Sequence, residues 1–105
     1  MITSGEGKYQ VWLEKYTIGS NLLYSLGGGE KSHIGGVVIC EPDKEPHIVK
    51  LGTHYDTIVL LPIAQTACEK YHTTVVAVGG VHVDNASKEE IERLVENCQK
   101  LHYKL

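Results

Sequence analysis

Three short polar segments carry the side chains with chemical potential. The first is Gly79-Gly80-Val81-His82-Val83-Asp84-Asn85, which ends an apolar run from Val75. On a strand, positions 82 and 84 point to the same side. A carboxylate there can fix the tautomer of an imidazole and raise its basicity, which suits a general base or a ligand contact. Asp84 and Asn85 equally suit an Asx turn at a strand-to-helix junction. The second segment is Ser32-His33-Ile34-Gly35, after Gly27-Gly28-Gly29. Backbone N–H groups there could cradle a phosphate, with Lys31 adding charge, or simply form a hairpin turn. The third is Gly52-Thr53-His54-Tyr55-Asp56, ahead of a helical pattern. A helix start favours an anion. Thr53 or Asp56 also fits an N-cap, a role that leaves His54 unexplained.

His33, His54, His82 and Asp84 together would make an N₃O metal set, but none has the spacing of a zinc motif. Neither a G-x-S-x-G elbow nor a Cys at a helix start supports nucleophilic catalysis. No catalytic residue and no metal ligand is therefore assigned. Cys40, Cys68 and Cys98 are an odd, widely spaced set without C-x-x-C. They read as small buried thiols in a reducing cytoplasm.

The elements that must position these segments follow from hydrophobic period. Residues 8–18 alternate as a half-buried strand, with Gly19-Ser20-Asn21 as the turn into a second strand at 22–26. Residues 37–40 and 47–51 are two more strands, joined by a turn closed with Pro42 and Pro46. Helical spacing then runs from Ile58 to Tyr71. A start near Thr57 makes Pro62 a distortion inside the helix, since an interior proline costs about 3 kcal/mol. Residues 74–83 form the fifth strand. Ser87-Lys88-Glu89-Glu90 fits a capping box, and Ile91, Leu94, Val95, Cys98 and Leu101 form the apolar stripe of the last helix.

The order β-β-β-β-α-β-α implies an α+β fold: an antiparallel sheet of five to six strands with two helices packed on one face. The sheet has more apolar surface than two helices cover, which points to a homodimer packed sheet on sheet, the alternative being that the sheet's aromatics line the core of a monomer. Residues 1–105 form a single domain, with 1–7 a loose N-terminal tail.

Composition narrows the function classes. The chain has 105 residues, 42% hydrophobic and 22% charged, a net charge of −3 and a single Arg. That balance argues against nucleic-acid binding, which needs clustered Lys and Arg. No apolar stretch approaches the length of a membrane span, and the N-terminus has no apolar signal-peptide core.

The segments Ser32-His33-Ile34-Gly35, Gly52-Thr53-His54-Tyr55-Asp56 and 79–91 (G-G-V-H-V-D-N-A-S-K-E-E-I) resemble the prenylated-flavin chaperones, a family that includes the accessory D subunit of gallate decarboxylase. The family's fold is similar to that of proteasome assembly chaperones. G-V-H-V-D-N is the most specific part of the likeness, which covers residues 27–101. Tyr55 stands where the family pattern has Lys. The resemblance implies a non-enzymatic protein that binds prenylated flavin mononucleotide (FMN), or FMN itself, and delivers it to a prenylated-flavin-dependent decarboxylase. It implies a cofactor site at His33, Gly35, His54, Gly80, His82, Asp84 and Asn85. Trp12, Tyr24 and Tyr55 are candidates to stack on the flavin ring. Two other classes compete: a protein-assembly chaperone or adaptor, and a small His/Asp metal-dependent enzyme.

Overall fold

Val11 and Leu13 are buried, while Trp12 and Glu14 beside them are half-exposed. This is the period of a strand with one covered side. The strand, β2 (Val11–Ile18), runs antiparallel to β3 (Asn21–Gly28) through the Gly19-Ser20 turn. The computed structural model describes residues 1–52 and 56–105. The remaining elements are β1 (Ile2–Ser4), β4 (Lys31–Cys40), β5 (His47–Lys50), α1 (Thr57–Tyr71), β6 (Val75–His82) and α2 (Lys88–His102). The protein is α+β. Among the described residues it has two helices and a six-stranded sheet ordered β1-β2-β3-β6-β4-β5.

The sheet is mixed, which corrects the expectation of an antiparallel one. β6 enters between β3 and β4. It is antiparallel to β4 (Val38↔Ala77) but parallel to β3 (Leu22↔Val75, Leu26↔Gly79). Short turns fix antiparallel pairing only between neighbours in sequence. β3 and β6 are joined through β4, β5 and α1, a connection long enough to return in parallel. The N-terminus is a second correction. Residues 1–7 were expected to be loose, yet Ile2 pairs with Leu13 and Ser4 with Val11. Ser4 is buried, and the Lys104 ammonium donates to the Thr3 carbonyl at 2.7 Å. A 3₁₀ turn at Gly7–Tyr9 follows, so the strand expected from residue 8 begins at Val11.

Tyr24, Leu26, Val38 and Ala77 of the sheet share a common apolar cluster with Leu60 and Ile63 of α1 and with Leu94 and Leu101 of α2. Each fully buried Leu or Ile contributes about 1.5–3 kcal/mol. That burial explains why α1 tolerates Pro62, which has no N–H for the Ile58 carbonyl. Ile63, Ala64 and Ala67, immediately beyond the proline, are completely buried. The helix stops at His72, whose backbone is left-handed (φ 48°). α2 starts on the expected capping box: Ser87 Oγ accepts the Glu90 N–H at 3.2 Å, and Glu90 Oε1 accepts the Ser87 N–H at 3.1 Å. Among the described residues no helix is long and apolar enough to cross a membrane.

Candidate functional site

A glycine pair interrupts each of β4 and β6, and the pairs meet: Gly36 of β4 is in register with Gly79 of β6. The space they leave is filled by the carboxylate of Asp56. A Cβ on Gly35 would lie 2.0 Å from Asp56 Oδ2, and one on Gly80 would lie 2.8 Å from Asp56 Cγ. Asp56 is 8% exposed. Its Oδ1 accepts the Val81 N–H at 3.0 Å, and its Oδ2 faces His33 Nε2 at 3.2 Å. Asp56 occupies the N-cap position of α1 but makes no side-chain cap bond. Its charge still complements the positive end of the helix. Capping chemistry therefore does not explain this side chain; the imidazole and the end of β6 do.

A second histidine–aspartate pair lies alongside. The His82 ring meets the His33 ring edge-on, at 6.2 Å between centroids and 88° between planes. His82 Nε2 lies 3.0 Å from Asp84 Oδ1. Lys31 reaches Asp84 Oδ2 at 3.4 Å, and the Asp84 N–H donates to Glu30 Oε1 at 2.9 Å. The His82 hydrogen bond, with Lys31 behind it, holds the Asp84 carboxyl below the ordinary carboxylate range. Asn85 turns the chain with a left-handed backbone (φ 52°), a conformation asparagine tolerates.

The glycine turn 27–29 does not offer a phosphate cradle. The Gly28 N–H donates to Ser32 Oγ, Gly29 N–H to the Gln10 carbonyl and Glu30 N–H to the His82 carbonyl, at 2.9, 2.9 and 2.7 Å. These donors tie the β3–β4 turn to β2 and β6.

Behind the paired histidines a cleft of about 340 Å³ opens between the end of β6 and the two helices. Val59, Val81, Val83, Leu94 and Val95 line its walls, with Cys98 among them, while Asp56, His82 and Asn85 supply polar groups. Burial, with Asp56 adding to it, pushes the Cys98 thiol up to about 12. It is therefore not a nucleophile at neutral pH. Cys40, Cys68 and Cys98 are all buried and free. A second cavity, about 440 Å³, lies at the other end of β4 against the turn 41–46, and it holds none of the expected site residues.

His33, Gly35, Gly80, His82, Asp84 and Asn85 thus gather around one end of β6. His54 lies outside the described residues, as do Thr53 and Tyr55. Asp56 is the residue that sequence reasoning missed as a site member, and the two glycine pairs were the available signal. Tyr24, a candidate for ring stacking, is only 2% exposed and belongs to the core. Trp12 packs over Gly27, where a Cβ would come within 2.1 Å of its ring. Among the described residues no group of three or more His, Cys, Asp or Glu side chains is arranged to hold a metal ion.

An apolar cleft with a few convergent polar groups is an arrangement that small-molecule sites share. The chain belongs to the prenylated flavin chaperone LpdD-like domain family, whose model matches residues 5–105. A comparison with curated proteins finds no match.

Proposed function

We propose that this protein binds prenylated FMN, or FMN itself, at the His33–Asp56–His82–Asp84 end of β6, and protects it until transfer to a decarboxylase that uses it. Membership of the chaperone family supports the class of function. The observation that carries the location is the convergence of two histidine–aspartate pairs, of which Asp56 and His82 line an apolar cleft. The residues fit the ring body of such a ligand: the cleft walls are apolar, and Asp56 and Asp84 lie against the His33 and His82 imidazoles at 3.2 and 3.0 Å. Bound there, the group would supply a flavin ring extended by an isoprenoid-derived ring. Gly35 and Gly80 act by admitting the Asp56 carboxylate. Asn85 offers an amide donor and acceptor. His54, two residues from Asp56, completes the proposed set.

The role is non-enzymatic, the chain acts as a single domain, and its place is the cytoplasm, where buried free thiols such as Cys68 stay reduced. Side chains of both helices share the buried core with one side of the sheet strands. On the other, Trp12, Leu23, Val37, Ile39, Val76 and Val78 remain half-exposed. A second copy packs there in a two-fold sheet-on-sheet contact that covers these apolar side chains, while Glu14 on the same face pairs with the Met1 ammonium at 3.6 Å.

Anaerobic titration with prenylated FMN tests the ligand. A bound absorbance spectrum is expected, and His82→Ala should weaken binding about tenfold, or 1.4 kcal/mol. It should also slow activation of an apo-decarboxylase. No spectral change with the wild-type protein would overturn the reading. The same apolar face supports a second reading, an assembly chaperone or adaptor. That reading predicts a copurifying partner whose capture ignores substitution of His33 and His82.

A further inference from the structure

We infer that the ligand enters ring first, its fused-ring body in the cleft between α1 and α2 and its phosphate outside, so that the phosphate is the end offered to the receiving enzyme. This rests on the ligand being prenylated FMN or FMN.

Size is the first argument. At about 340 Å³ the cleft lies near the lower end of the range for ligand sites, roughly 300–1,000 Å³. That size suits the ring system more closely than a ring, a ribityl chain and a phosphate together. Its lining is the second. Val59, Val81, Val83, Leu94 and Val95 have no side-chain donor for an oxyanion. A phosphate taken among them would lose its hydration without replacement.

The mouth is the third argument, because among the described residues there several groups that bind phosphate elsewhere are committed or of the wrong sign. Asp56 and Asp84 are carboxylates, and Glu30 accepts the Asp84 N–H. Lys31, the cation in contact with this cluster, is paired with Asp84. The Val81 N–H is held by Asp56. The N–H groups of residues 28–30 go to Ser32, Gln10 and His82. At the start of α2, the Ser87 and Glu90 N–H groups are used by the capping box. A phosphate carries about −1.5 to −2 near neutral pH, and these carboxylates repel it. The polar edge of a flavin ring meets the opposite situation: His82 and Asn85 at the rim supply both donors and acceptors.

The consequence is a division of the ligand between two proteins. The chaperone holds the ring, and an acceptor site that recognises phosphate can engage the cofactor before the chaperone lets go.

The test compares FMN with riboflavin, which lacks the phosphate, by fluorescence titration of the wild-type protein. The two dissociation constants should agree within about threefold, whereas a phosphate held by charge-assisted bonds would make riboflavin weaker by about tenfold or more. In parallel, the ³¹P resonance of bound FMN should titrate with pH as that of free FMN does. Val95→Trp, which fills the cleft, should weaken both ligands about tenfold. Should that variant fail to fold by circular dichroism, Ala86→Phe at the half-exposed rim reads the same effect. Binding of FMN with strong loss for riboflavin, a shifted ³¹P titration, or indifference to the filled cleft would overturn the orientation and leave the flavin-binding reading standing. Binding of neither flavin, nor of prenylated FMN, would overturn that reading itself.

Discussion

The Asp56 carboxylate faces His33 Nε2 at 3.2 Å across space that exists only because residues 35 and 80 have no side chain. Asp56 also accepts the Val81 N–H. Asp56→Ala leaves that N–H without its acceptor in a buried setting, at a cost of about 1–3 kcal/mol. Asp56→Asn keeps an acceptor oxygen and should cost less. Urea unfolding of the two variants checks the order; equal losses would contradict it.

Gly35→Ala puts a methyl group where Asp56 Oδ2 now lies. The carboxylate must move, and a destabilisation of about 1–3 kcal/mol is expected. Because the clash is with Asp56, Gly35→Ala combined with Asp56→Ala should cost less than the sum of the two. A double-mutant cycle by chemical denaturation reads the coupling, and additivity would show that the methyl clashes with something else.

Glu90 gives the fold an acid limit. The Tyr9 hydroxyl, the Ser87 N–H and the Lys8 ammonium hold its carboxyl down to about 2, against 4.5 for the free side chain. The folded value is the lower one, so the stabilisation is complete above pH 4.5 and is lost as pH falls through 2. Melting temperatures measured across that window should fall less steeply for Glu90→Gln than for the wild type. Parallel curves would remove Glu90 from the acid response.

His72 ends α1 with a left-handed backbone that a side chain disfavours. His72→Gly should raise stability by about 1 kcal/mol. Thermal melting at neutral pH is sufficient to see it, and a loss of stability would mean that the imidazole holds this turn.

Val78 sits mid-sheet on the half-exposed face, between Val37 of β4 and Ser25 of β3. Val78→Lys should convert a sedimenting dimer to a folded monomer. A wild-type protein that sediments as a monomer at all concentrations would remove the sheet-on-sheet contact.

Local chemistry was legible in the sequence; long-range geometry was not. The Ser87–Glu90 capping box and the β2–β3 hairpin depend on residues close in the chain, and both stand as read. The parallel pairing of Leu22 with Val75 depends on where a long connection returns, which no local pattern encodes. Ser4 was missed as a strand residue because three residues are too few to display a period. At the site, His82 and Asp84 were paired on the reading that both lie on one strand; β6 ends at His82, and the pair forms across the turn that follows. Asp56 resembled an N-cap, and only the approach of Gly35 and Gly80 from two other segments gives it a different partner.

The insertion of β6 between β3 and β4 sets the order in which the chain can assemble. β1–β3 and β4–β5 are each built from nearby residues, but β6 provides the hydrogen-bonded seam between them. A nascent chain that has not yet exposed residues 75–84 holds two half-sheets with open edges and lacks the His82–Asp84 pair. Closing so long a loop is slow compared with forming a hairpin. His82 therefore reaches His33 only late, when a single strand joins the two halves.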